Sequence, residues 1–257
     1  MAKQIGLIKL LGTIGGITFY KTQDGFLARQ ASGGDQDING TDPRFQGRRD
    51  TNEEFINISK VGKLIRVAFM NLSHNISDNR VSGRLVGRLI KVKQADFTHP
   101  RGKRTFIDGK LELLEGFDFN IRNKLEDTLL APFTAIIDRK AGTLNVSIPS
   151  FIPVNMVARK RGSTHFKIIT SGAAIDFKNK TFEVSTQKSD LIAWDNTATT
   201  AIDFANTVAA NSSLPLFLVL GVEFYTEVKG VNYPMEVPAN KVSFNSLAMV
   251  SVNDPKK

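Results

Sequence analysis

The chain has 257 residues, 41% hydrophobic and 23% charged, enough to bury a core as one large domain or two of ordinary size. It has no cysteine, which excludes disulfides, thiolate metal sites and cysteine nucleophiles, and no run of about 18 apolar residues that would span a bilayer. The net charge of +9 lies wholly in residues 1–110, with 19 basic and 10 acidic side chains; residues 111–257 hold 15 of each. A one-sided positive field points to an anionic partner, against the alternative of a basic surface kept for solubility.

The N-terminus, MAKQIGLIKLLGTIGGITFY, is apolar but is interrupted by Lys9 and by glycines. No small-residue cleavage site follows, so it reads as strand rather than secretory signal. The default compartment is then the cytoplasm; a virion or non-classical export would leave no mark in such a sequence. Ile5–Leu11 and Ile17–Lys21 are β-rich, with Gly12, Gly15 and Gly16 between them. Gly12-Thr-Ile-Gly-Gly16 lacks the GK[ST] ending and the following helix of a phosphate loop. Asp24-Gly25 signals a tight turn, and Phe26–Gln30 is the return strand. Phe19, Tyr20, Asp24, Gly25 and Phe26 define a candidate docking hairpin. Residues 31–45 read as an extended arm. Within it Asp35-x-Asp37-x-Asn39-Gly40 begins like a calcium loop, but Gln46 stands where the closing glutamate belongs.

Thr51-x-x-Glu54 has the form of a capping box, and Phe55, Ile58, Val61, Ile65, Phe69 and Leu72 follow at helical spacing. Ser73–Asn79 is a break, with Asp78 as candidate N-cap of a second helix to about Lys93. Val81, Leu85, Leu89 and Val92 form its apolar stripe; Arg80, Arg84, Arg88 and Lys91 lie beside it. Gly83 and Gly87 weaken a recognition helix and fit close packing against another backbone. From about residue 105 the texture is β: 105–120, 131–148, 165–185 and 215–228 read as strands, with tips at Asp138–Gly142 and Asn179-Lys180. Pro215–Val222 is apolar on both faces, as in a central strand.

Catalytic signals are absent from the sequence. His74, His99 and His165 form no HxH or HExxH spacing, there is no GxSxG elbow, and no acid–base pair stands out. No cofactor or metal is expected. The candidate anionic-partner surface is Arg48, Arg49, Arg80, Arg84, Arg88, Lys91, Arg101, Lys103 and Arg104, with Arg159-Lys160-Arg161 as a further basic tip. No aromatics are interleaved with these, as a single-strand binder would want.

The stretches GTIGGITFYKTQDGFLARQ, TDPRFQGRRDTNEEF and PLFLVLGVEFYTEVKGVNY resemble an uncharacterised family of hypothetical proteins from Bacteroidota genomes. The resemblance covers most of the chain and implies one intact, self-contained protein. It brings no activity, cofactor or site residue.

The expected fold is α+β: a β meander and arm (1–50), a basic helical hairpin (51–104) and an antiparallel β-sandwich (105–257). The expected function is a non-enzymatic structural protein, a virion, tail or filament component. It would self-assemble as a homo-oligomer through its hairpin and arm, because exposed strand edges invite pairing. The alternative is nucleic-acid binding by the basic first 110 residues. A hydrolase with a site across the sandwich loops is a third reading.

Overall fold

A computed structural model describes residues 2–22, 25–31, 43–73, 76, 78–235 and 243–255. The chain is mixed α and β and divides into two compact units, Met1–Asp50 and Thr51–Lys257. The first is a four-stranded antiparallel sheet of β1 (Ala2–Lys3), β2 (Gly12–Ile14), β3 (Ile17–Thr22) and β4 (Gly25–Gln30), in the order β1-β4-β3-β2. Gly15 and Gly16, at φ of 56° and 77°, make the two-residue turn that pairs Ile14 with Ile17. Both positions need positive φ, which glycine adopts without a Cβ penalty. Gly25 pairs with Thr22, so it opens the return strand rather than sitting in the turn; Asp24 lies outside the described residues. So does the Asp35–Asn39 stretch. Ile5–Leu11, expected as strand, is mostly an irregular loop between β1 and β2.

A 3₁₀ turn at Pro43–Phe45 leads into α1 (Gln46–Ala68). The helix therefore starts five residues before the expected capping box. Side-chain bonds from Gln46 Nε2 to Asp50 Oδ1 (2.6 Å) and from Arg49 Nη2 to Gln46 Oε1 (2.8 Å) support the extra turn. Thr51 and Glu54 are thus interior helix residues, and Glu54 is buried. A short α2 (Met70–Ser73) and α3 (Val81–Gln94) complete the helical layer. Asp78 is not the N-cap of α3: Arg80 holds that place, and Asp78 Oδ1 accepts the Arg80 amide at 2.7 Å.

The strands that follow are β5 (Phe117–Asp118), β6 (Thr134–Asp138) and β7 (Thr143–Ile148), then, after a helical turn α4 (Pro153–Met156), β8 (His165–Asp176), β9 (Thr181–Lys188), β10 (Ile192–Ala193) and β11 (Ile202–Thr207). β12 (Leu216–Val228), β13 (Val231–Pro234) and β14 (Ser246–Asn253) close the chain. All pairings are antiparallel. A seven-stranded sheet runs β10-β8-β12-β14-β5, with β9 on β8 and β13 on β12; β11-β7-β6 form a three-stranded sheet. Residues 105–120, expected as strand, are largely irregular, with a 3₁₀ turn at Leu111–Leu114 and only β5 extended.

The large sheet is buried on both faces. Phe217, Val219, Ile169, Leu247 and Met249 share one core with Ile58, Ile65, Phe69, Leu85 and Leu89 of the helices. Leu218, Leu220, Phe224, Phe166 and Ile168 share the other with Leu144, Val146, Ile148 and Phe204 of the small sheet. Successive side chains of a strand point to opposite faces, and both faces are covered here, which explains why Leu216–Val222 of β12 is apolar throughout. Each such fully buried side chain contributes about 1.5–3 kcal/mol. The helical layer adds a covering that the sandwich reading did not include. The sheets meet closely at Gly172, where a Cβ would lie 3.0 Å from both Asn206 and Leu144 atoms. At the β9 edge, Gln187 Nε2 donates to the Ala205 carbonyl (2.9 Å) and its Oε1 accepts the Ala205 amide (3.1 Å), tying β9 to β11.

Candidate functional site

The loop between β1 and β2 is held by hydrogen bonds of the Gln4 and Lys9 side chains. Gln4 Oε1 accepts the Leu10 amide (2.8 Å), and Gln4 Nε2 donates to the Leu27 carbonyl (3.0 Å). Lys9 Nζ donates to the Gln4 and Gly6 carbonyls at 2.5 and 2.6 Å. The loop points its apolar side chains at solvent: Ile5, Leu7 and Ile8 are 91%, 104% and 80% exposed. Leu11, Ile14 and Ile17 are also exposed, and no described residue of the unit is buried. β2 is an exposed three-residue edge strand. Phe19, Tyr20 and Phe26 are half-buried, with Arg29 over the Tyr20 ring (5.6 Å) and Lys21 over Phe26 (5.5 Å). The sequence hairpin is thus present, but the more exposed apolar feature is the neighbouring loop, signalled by Ile and Leu at 5, 7 and 8 without a polar face.

The nine candidate cations do not all serve one surface. Arg48 and Arg49 lie in the first turns of α1. Arg84 is consumed by the fold: its guanidinium pairs with Asp78 and donates to the Asp118 carbonyl (2.7 Å) and the Phe119 carbonyl (3.1 Å), above the Phe117 ring (5.2 Å). It anchors α3 to β5. Arg84, Arg88 and Lys91 line one groove, but so do Asp118 and Glu126. Burial pushes the Asp118 carboxyl up, opposed mainly by a hydrogen bond from the Leu125 amide. Arg80 is exposed at the start of α3. Arg101 Nη2 donates to Thr51 Oγ1 (3.0 Å), and Lys103 and Arg104 line a separate cleft against α1. The second basic tip is likewise occupied: Arg159 lies over the Trp194 ring (4.9 Å), and Lys160 donates to Asn123 Oδ1 (2.8 Å). Burial pushes the Lys160 ammonium down.

Two polar constellations were not apparent from spacing. Glu54 and Lys93, both buried, form an ion pair between α1 and α3, and Glu54 Oε1 also accepts the Gly102 amide (2.7 Å). Burial alone would raise the Glu54 pKa; the Lys93 bond and the Gly102 amide outweigh it and hold the carboxyl low. The second centres on Asp96, which has no exposed surface. Its carboxylate accepts the amides of Thr98 (2.9 Å), His99 (3.2 Å) and Thr105 (3.0 Å), the Thr98 hydroxyl (2.7 Å) and His99 Nδ1 (2.9 Å). Burial opposes ionisation, but these donors hold the carboxyl well below the usual carboxylate range. Asp96, His99 and Asp108 place ligand atoms within 4.8 Å of one another, a spacing that could hold a metal. The lone pairs of Asp96 are already taken by five donors, so the cluster works as a staple of the 96–108 loop. His165 Nδ1 meets Thr164 Oγ1 at 2.9 Å, and His74 lies outside the described residues.

No helix among the described residues is long and apolar enough to cross a membrane. Comparison with family models, with curated proteins and with solved structures yields no match.

Proposed function

We propose that the protein is a non-enzymatic structural component, of a virion, tail or filament, that self-associates through its N-terminal sheet. One observation carries this reading: a four-stranded sheet in which no described residue is buried, beside an ordered loop with outward Ile5, Leu7 and Ile8. A sheet is stable when an apolar face is covered. A second copy can cover it by pairing edge β2 with its own equivalent and bringing the two apolar loops together. Lys3, Lys9, Lys21 and Arg29 outnumber Asp24, the single acid of residues 1–31. Like charges then oppose the contact, apolar burial drives it, and salt strengthens it by screening.

Hydrogen exchange tests this directly. The amides of β2 and of residues 5–11 gain protection as protein concentration rises under the proposal. Exchange independent of concentration counts against it.

The runner-up, nucleic-acid binding, is favoured by the charge excess of residues 1–110 and by Arg88 and Lys91 in one groove. It has the opposite salt dependence, since phosphate binding weakens as salt rises. Retention on DNA or RNA at low salt, lost on Arg88→Gln with Lys91→Gln, would support it; no retention at low salt would remove it.

A further inference from the structure

Lys160 is half-buried, and its backbone is fixed by a turn to Ser163, whose amide and hydroxyl both donate to the Lys160 carbonyl (2.9 and 2.7 Å). From there the side chain runs over the ring of buried Phe224, with Nζ 5.9 Å from the centroid, and Nζ meets Asn123 Oδ1 at 2.8 Å. Asn123 is held as closely. Its Nδ2 donates to the Ser243 carbonyl (2.7 Å), which the buried Asn120 side chain also contacts (3.0 Å). The Asn123 carboxamide thus gives its oxygen to the lysine and its nitrogen to a backbone acceptor.

A lysine that serves as a surface charge keeps its ammonium in water. Here burial pushes the ammonium down, against the opposing charge of Asp127, four positions after Asn123. The hydrogen-bond partner is a neutral amide, which compensates a desolvated ammonium less well than a carboxylate does. The neutral amine suits this setting better, and a neutral lysine amine is a nucleophile. A fixed amine in contact with a fixed carboxamide has the proximity that amide exchange requires. The chain has no cysteine, so no disulfide can brace this region instead.

We propose that Lys160 and Asn123 join in an intramolecular isopeptide bond. The Nζ amine attacks Cγ of Asn123. Asp127 takes a proton from Nζ and delivers it to Nδ2, the Cγ–Nδ2 bond breaks, and ammonia leaves. One C–N bond forms as another breaks, so the step needs no oxidant and no cofactor. The bond joins residues 37 apart on the chain and restricts the unfolded state, as a disulfide does. Lys160, Asn123 and Asp127 all belong to the second unit, so the bond is independent of how the N-terminal sheet associates.

The experiment is intact-mass and peptide-mapping mass spectrometry of the full chain after incubation at neutral pH. The expected result is a chain lighter than its sequence by one ammonia, and a branched peptide joining Asn123 to Lys160. Lys160→Arg keeps the charge but not the nucleophile; it should show no branched peptide and a lower thermal midpoint than the native chain. Asp127 is exposed, so Asp127→Asn leaves the core intact; its cross-link should form at least about tenfold more slowly, with Asp127→Glu restoring the rate. A folded native chain without the branched peptide would overturn the proposal. So would an ammonia loss that Lys160→Arg retains in full, or a cross-link that Asp127→Asn forms at the native rate.

Discussion

Asp96 illustrates how single side chains set local stability in this protein. Its folded-state pKa lies below that of the unfolded chain, so its contribution is fully present above about pH 4 and is lost as pH falls below that value. Asp96→Asn keeps the shape but forfeits the charge-assisted bonds. It should lower stability by about 2–3 kcal/mol at neutral pH and flatten the acid limb of the stability curve, as read by denaturant melts from pH 3 to 7. An unchanged acid limb would mean that other carboxylates set it. The Glu54–Lys93 pair makes a sharper claim. Removing one partner leaves a buried charge without compensation, so Glu54→Ala should cost about 3–5 kcal/mol in urea unfolding. Replacing both, with Glu54→Leu and Lys93→Met, should recover most of that loss. The sequence alone misassigned Glu54, because Thr51-x-x-Glu54 matches a capping box whenever the helix happens to start there. Here Gln46, Arg49 and Asp50 bond along the preceding turn and carry the start further back. Arg84 differs for a related reason: spacing puts it on the polar stripe of α3, but besides Asp78 its acceptors are carbonyls 34 and 35 residues away on the chain.

Among the elements, α3 offers a test of how glycines were read. Gly83 and Gly87 face open space, with nothing within 4 Å of a built Cβ, while Gly62 of α1 meets the Leu89 side chain at 3.2 Å. The close-packed glycine is thus on α1, and those of α3 are on its outward face. Gly83→Ala and Gly87→Ala should each stabilise by about 0.5–1 kcal/mol, whereas Gly62→Leu should destabilise strongly, all measured by thermal melting. No gain from either alanine would contradict the placement of that face. Helical periodicity made α3 legible and an unbroken apolar run made β12 legible: Val81, Leu85, Leu89 and Val92 are all buried, and β12 is central, between β8 and β14. The tips at Asp138–Gly142 and Asn179-Lys180 were legible too, because Asp138 and Asp176 accept the amides of the turns that follow them. Leu111–Leu114 was not, since a short apolar run fits a strand as well as a 3₁₀ turn. β11 and β14 were missed although the signals are there: Ile202 and Phe204 alternate with Asp203 and Ala205 ahead of Asn211-Ser-Ser, and Asn253-Asp-Pro255 ends β14.

For the whole molecule, the two units differ in burial rather than in charge: residues 51–110 of the second unit carry +7 of the net +9, and residues 1–50 carry +2. Thr51–Lys257 is a three-layer α+β unit with two cores, while the described residues of the N-terminal unit bury nothing fully. The β content of that unit was readable from its turn glycines. Its loop was not, because only the Gln4 and Lys9 hydrogen bonds reveal that Ile5, Leu7 and Ile8 are held outward. The most direct measurement of self-association is light scattering after size exclusion, at low and high salt, on the native chain and on Leu7→Asp with Ile8→Asp. Both substitutions fall on exposed side chains and leave the bonds of Gln4 and Lys9 in place. The expected result is a defined oligomer of the native chain, more populated at high salt, and a monomeric variant. A native chain that stays monomeric under all conditions, or a variant that assembles as well as the native chain, would contradict the account.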